Sequence, residues 1–235
     1  MKTNQAPNFS NIAGYDEVKE ELLTIFKWYK DPKLINNKYT ALPTGILFYG
    51  DPGNGKTLFI REYIRAFNAP TYIVKGKEHQ IEEIQTIFKK ARKEKFAIIA
   101  IDELDMLIDD NRDIERVLQS ELDGIDKKGS ILVLASTNKI AGIGKPLQRQ
   151  GRFDRVIHIA YPGIEERANL FRYYFSKFKI NPDGIDIYHM CNVCSPLTCA
   201  EIKAVINDAY LRSNGNITTA MLEESYERLQ GRDFI

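Results

Sequence analysis

The sequence has no excess of charge of either sign: 33 Lys and Arg stand against 32 Asp and Glu among 235 residues. A protein that tracks a phosphate backbone usually carries a positive field, so nucleic acid is not an expected partner. Long hydrophobic runs are missing as well. The longest, Phe96 to Ile101 and Ile131 to Ala135, fall far short of the ~20 apolar residues of a membrane span. They read as buried strands, and no membrane partner is expected. Cysteine is scarce, with three residues, and Met1 to Asn11 is polar with no apolar segment behind its single lysine, unlike a secretion signal. A reduced, cytoplasmic setting is the expectation. Repeats, low-complexity tracts and Gly/Ser linkers are also absent, so a second domain would follow the first closely.

Val18, Leu22, Ile25, Phe26 and Tyr29 recur at helical spacing, opening near Asp16 and closed by Asp31-Pro32, which predicts an amphipathic helix. From Gly45 short apolar runs alternate with helical stripes. Ile46 to Tyr49 precedes a helix from Lys56, and Tyr72 to Val74 precedes a stripe of Ile81, Ile84, Ile87, Phe88 and Ala91. Phe96 to Ile101 precedes a helix through Ile114, Val117, Leu118 and Leu122, and Ile131 to Ala135 and Val156 to Ile159 follow. This alternation predicts an α/β fold, a parallel sheet with crossover helices on both faces. The strand signal stops at Tyr161-Pro162-Gly163, and stripes at Ala168, Phe171, Phe175, Phe178 and at Ile202, Val205, Ile206, Ala209 take over. The expected division is a domain over 1–162 and a small all-α lid over 163–235. Thr198 and Glu201 form a capping box at the start of one lid helix.

Gly50-Asp51-Pro52-Gly53-Asn54-Gly55-Lys56-Thr57 matches G-x-x-x-x-G-K-[ST] between a predicted strand and a predicted helix, the context that makes it a P-loop. Its glycines let successive N–H groups turn toward a β-phosphate, Lys56 can reach the β- and γ-oxygens, and the Thr57 hydroxyl can ligate Mg²⁺. Leu58 closes the nucleotide-contacting stretch. The strand Ile98-Ile99-Ala100-Ile101 runs into Asp102-Glu103, two carboxylates at a strand end facing the nucleotide crevice. Asp102 is the candidate for holding Mg²⁺, and Glu103 is the candidate general base for the attacking water. A third strand runs into Ser136-Thr137-Asn138, which makes the Asn138 amide a candidate for orienting that water.

With these motifs in place the chain resembles an AAA ATPase module, of the kind carried by FtsH-type membrane proteases and proteasomal ATPases, over nearly its whole length. The resemblance implies ATP and Mg²⁺ as ligands, ATP hydrolysis, and a homo-oligomer, a six-membered ring. It implies that Ile12-Ala13-Gly14 meets the adenine by main chain. Arg152 and Arg155, in Gly151-Arg152-Phe153-Asp154-Arg155, then become fingers reaching a neighbouring subunit's site, unless they pair with Asp154. Thr198-Cys199-Ala200-Glu201 stands where the family has Ser-Gly-Ala-Asp over the base, and Tyr174 stands where many relatives have a histidine. Asp123-Gly124-Ile125 resembles the Asp-Gly-Phe intersubunit segment with its aromatic lost.

Two family features are missing. No His-Glu-x-x-His occurs, which leaves no zinc protease site. Lys75-Gly76-Lys77-Glu78-His79-Gln80 and Met106 to Asp113 replace the two pore loops and lack an aromatic grip, with Tyr72 expected in the core. His189, Cys191, Cys194 and Cys199 sit close in sequence, but buried thiols account for them better than zinc does. Trp28 is expected to pack the first helix on the sheet. Two functional readings remain: an oligomeric ATPase that remodels a protein or assembly, and an interaction module switched by nucleotide with slow turnover.

Overall fold

The structure, a computed structural model, describes residues 6–34, 41–75, 80–126 and 130–231. It divides into two compact units, one of residues up to 9, 16–50 and 56–159, the other of 10–15, 51–55 and 160 onward.

In the first unit five parallel strands lie in the order β2-β3-β4-β1-β5: β1 Gly45–Tyr49, β2 Thr71–Lys75, β3 Ala97–Asp102, β4 Ile131–Thr137 and β5 Arg155–His158. The helices are α1 Asp16–Lys30, α2 Lys56–Phe67, α3 Ile81–Ala91, α4 Leu104–Asp110 and α5 Asp113–Asp123. β1, β3 and β4 are apolar at nearly every position because both sheet faces are covered. Leu47, Ile99, Ile101, Val133 and Ala135 join Ile84, Phe88, Leu107, Leu118 and Leu122 of α3, α4 and α5 in one core. The alternate residue Phe48 stacks on Phe59 of α2, ring centroids 6.1 Å apart. The expected sheet with crossover helices is therefore present. Each buried side chain of this size contributes about 1.5–3 kcal/mol by leaving water.

Three local expectations change. Met106 to Asp110 is helix rather than loop: Leu104, Leu107 and Ile108 sit at i, i+3 and i+4 and are buried, and that anchoring makes a seven-residue helix out of an acidic stretch. β4 extends through Ser136 and Thr137 because they pair with Phe48 and Tyr49 of the neighbouring strand. Trp28 is half-buried on α1 and meets the sheet at its edge, where the Arg155 guanidinium of β5 lies 6.0 Å from its ring. Gly76 to His79, which include most of the first short loop, lie outside the described residues.

In the second unit the helices are α6 Ile164–Phe178, α7 Ile187–Val193, α8 Cys199–Ser213 and α9 Thr219–Gln230. Ala168, Phe171, Phe175, Met190, Ile202, Val205, Ile206 and Leu222 fill their shared core. The Thr198 capping box forms as the sequence predicts: its hydroxyl oxygen accepts from Glu201 N at 3.2 Å and its own N–H donates to the Glu201 carboxylate at 2.7 Å. Cys191 and Cys194 lie buried in that core, and no group of three metal-capable side chains exists among the described residues. No described helix is long and apolar enough to cross a membrane.

Candidate active site

The turn that leaves β1 starts at Gly50, whose φ of +141° lies outside the range L side chains readily adopt. A Cβ there would stand 2.2 Å from the Ile159 carbonyl oxygen, so the turn closes only around glycine. At the start of α2 the Lys56 ammonium donates to the Gly50 carbonyl at 2.7 Å, which ties the two ends of the loop together. Thr57 exposes its hydroxyl one residue further.

That hydroxyl donates to the Asp102 carboxylate at the end of β3, 3.1 Å to Oδ1 and 3.3 Å to Oδ2. The structure thus brings together two of the residues singled out by sequence, 45 positions apart. Both are hard oxygen donors, the set Mg²⁺ takes. Glu103, next in the chain, is exposed and sits in the left-handed region at φ +56° and ψ +54°, a conformation that costs a non-glycine residue about 1–3 kcal/mol. It follows the last residue of β3 and turns the chain into α4. At the end of β4 the Asn138 N–H donates to the Asp105 carboxylate of α4 at 3.4 Å.

Sequence reasoning missed two residues here. Asp105 is buried at the head of α4, and its position two after Glu103 was the available signal. Ser136 joins the ends of β3 and β4: its hydroxyl donates to Asp102 Oδ1 and accepts from the Glu103 N–H at 3.2 Å. A serine at a strand end reads as a turn former, so nothing local marked it.

Residues 51–55 of the loop belong to the second unit. Ala200 N donates to Gly53 O at 3.0 Å, and a Cβ on Gly53, at φ +87°, would stand 2.9 Å from the Thr198 hydroxyl. Asn54 is 1 % exposed, yet neither its amide nitrogen nor its amide oxygen has a hydrogen-bond partner among the described residues. A buried orphan of this kind costs about 1–3 kcal/mol. Asn54→Ala is expected to melt no lower than the unaltered chain without nucleotide, and to gain less melting temperature on ATP addition. A clearly lower nucleotide-free melting temperature would show that the amide stabilises the empty loop.

Ile12, Ala13 and Gly14 lead into Tyr15, whose hydroxyl donates to the Ala160 carbonyl at 2.8 Å and lies 3.3 Å from Cys199 Sγ. The Tyr15 N–H donates to the Glu166 carboxylate at 3.0 Å. Ala13, Tyr174 and Cys199 all pack on the helical core. Burial pushes the Cys199 thiol above its ordinary range and the Tyr174 hydroxyl up to about 12, so both are neutral groups near pH 7.

Arg152 is held within its own chain. Its Nε and Nη2 donate to the two Asp123 oxygens, each at 2.8 Å, and Nη1 donates to the Pro146 carbonyl at 2.7 Å. Hydrogen bonding to Arg152 holds the Asp123 carboxyl below its usual range. Asp154 does not pair with either arginine in these bonds; it accepts from the Thr44 and Gly151 N–H groups. Arg155 is exposed on β5.

A parallel sheet of this order, with a G-x-x-x-x-G-K-T loop after its β1 and a carboxylate pair after its β3, defines a P-loop nucleotide-binding module. Residues 46–161 match the model of the ATPase family associated with various cellular activities, AAA. The ATP-dependent zinc metalloprotease FtsH 3 of Petrotoga mobilis is 32% identical over 94% of this chain and 38% of its own length. FtsH of Ureaplasma parvum is 31% identical over 97% of this chain and 34% of its own. The ATP-dependent zinc metalloprotease YME1 homolog of Caenorhabditis elegans is 30% identical over 94% and 33% respectively. The chain is an ATPase module of the AAA family, and it spans about a third of the length of these curated relatives.

Proposed function

We propose that the chain binds MgATP through Asp51 to Leu58 and hydrolyses it at Asp102 and Glu103, as one subunit of a homo-oligomer that remodels a protein partner. The observation that carries this reading is the Thr57 hydroxyl on the Asp102 carboxylate at the foot of the P-loop. Main-chain N–H groups of the loop and Lys56 meet the phosphates, where backbone donors and an ammonium suit concentrated negative charge. Thr57 and Asp102 would hold Mg²⁺, which when bound neutralises charge on the phosphate oxygens. Glu103 accepts a proton from the attacking water, and the Asn138 amide orients that water. Ile12, Ala13 and Gly14 meet the adenine by main chain, with Tyr174, Cys199 and Ala200 beside it. Arg152 and Arg155 act on a neighbour's γ-phosphate.

The division into a nucleotide domain over 1–162 and a lid over 163–235 fits a cycle in which hydrolysis moves lid against core. The sequence contains no His-Glu-x-x-His, so the proposal concerns ATP-driven work and not proteolysis. Its output is a change of assembly shape acting on a folded partner in a cytoplasmic setting, because the stretch between Val74 and Ile81 offers two lysines, a glutamate, a histidine and a glutamine in place of an aromatic grip.

Steady-state ATPase rate against protein concentration tests the reading. The rate per subunit is expected to climb as subunits associate, while a tagged fluorescent protein offered to the same preparation stays folded. A rate per subunit that is flat over the whole range would favour the alternative, an interaction module that turns over slowly within each subunit. Robust unfolding of the fluorescent protein would show that the short segment after β2 grips a chain.

A further inference from the structure

The geometry points to Ser136 as a positioning residue for ATP hydrolysis, whose single hydroxyl sets both the metal-facing carboxylate of Asp102 and the backbone that presents Glu103. The inference rests on the roles proposed above for those two residues.

Ser136 is 2 % exposed and lies in β4, paired with Phe48 of β1. A hydroxyl has one hydrogen to give and lone pairs to receive. Here the hydrogen goes to Asp102 Oδ1, and a lone pair takes the Glu103 N–H at 3.2 Å. Asp102 Oδ1 also accepts from Thr57, so Ser136 and Thr57 fix the carboxylate from two directions. Those bonds set the rotation of the carboxylate about its Cβ–Cγ bond.

The second bond bears on Glu103. Its backbone occupies the left-handed region, which glutamate avoids unless its surroundings dictate it. Ser136 supplies the acceptor that the N–H needs in that conformation, so the same oxygen that orients Asp102 stabilises the turn that aims Glu103. Without the hydroxyl, Asp102 keeps its Thr57 contact but loses one constraint, and the Glu103 N–H loses its partner at the point where the chain reverses. An alanine at this position leaves the strand pairing intact, because the lost contacts are all made by the side chain.

Outer partners of this kind change metal affinity or activity by roughly 10–100-fold when removed. Ser136→Ala is therefore expected to lower kcat by roughly 10–100-fold and to raise the Mg²⁺ concentration needed for half-maximal binding of a fluorescent ATP analogue. Affinity for that analogue in EDTA should stay the same, since the P-loop is untouched. Ser136→Thr keeps the hydroxyl and should restore both readouts. If Ser136→Ala does not fold, Ser136→Cys, of similar size and with a weak donor, carries the same expectation.

Unchanged Mg²⁺ response and unchanged kcat would overturn the inference. So would a loss of activity in proportion to lost folded protein with the Mg²⁺ midpoint unmoved, because that is the mark of a purely structural serine. Failure of the unaltered chain to bind the analogue in a Mg²⁺-dependent way would instead remove the site assignment beneath it.

Discussion

Glu103→Gln is expected to bind ATP almost as well as the unaltered chain and to hydrolyse it ~10²–10⁴-fold more slowly, the range a positioned general base contributes. Glutamine keeps the shape and a hydrogen-bonding oxygen but cannot take up the proton of the attacking water. Binding should survive because the groups proposed to meet the phosphates, the turn after Gly50 and Lys56, lie between β1 and α2 and at the start of α2, not at the end of β3. Lys56→Ala should behave in the opposite way. Its ammonium donates to the Gly50 carbonyl, so its removal takes a charge from the phosphate site and a tie from the loop together. Equilibrium binding of ATP and single-turnover hydrolysis separate the two effects. Equal loss of ATP affinity in both variants would sink this division of roles.

The parts of the site that the sequence made legible are those with local causes. The P-loop is written in eight consecutive residues between a strand and a helix, and the Asp102-Glu103 pair ends a short apolar run that reads as a buried strand. Periodicity likewise marked the parallel sheet, since β1, β3 and β4 are apolar at nearly every position. What stayed hidden depends on register between strands distant in sequence. Ser136 acquires its partners because β3 and β4 run in step, Ile101 opposite Ala135, and a serine two residues before an asparagine gives no hint of that. Asp105 was hidden by α4, whose three buried leucine and isoleucine contacts turn an acidic stretch into a helix. The Arg152 and Asp123 pair spans 29 positions and joins the turn before β5 to the end of α5, a contact no local pattern encodes. The orphaned Asn54 amide is legible only once burial is known, because an asparagine within a glycine-rich loop ordinarily reads as solvated.

Arg152→Ala and Arg155→Ala should each lower turnover by as much as ~10³–10⁵-fold, the usual worth of an arginine finger, while leaving nucleotide binding intact. The tether on Arg152 is compatible with that role. Its three bonds to Asp123 and Pro146 use three of the five N–H groups of a guanidinium, which leaves one N–H on Nη1 and one on Nη2 for phosphate oxygens, on a planar group already held in place. Arg155, by contrast, is exposed, with its guanidinium 6.0 Å from the Trp28 ring, so in a finger role it would have to be ordered by the neighbouring subunit. Arg152→Lys should therefore rescue poorly, because an ammonium cannot hold both Asp123 oxygens and still reach across. The decisive experiment mixes two inactive proteins. Arg152→Ala retains Glu103, and Glu103→Gln retains both arginines, so an interface that joins the second protein's fingers to the first protein's site is complete. ATPase activity is expected to reappear on mixing and to pass through a maximum at intermediate ratios, since each pure protein contains only defective interfaces. No recovery at any ratio, with mixed oligomers confirmed by native mass spectrometry, would place Arg152 in the service of its own subunit, as the partner of Asp123 alone.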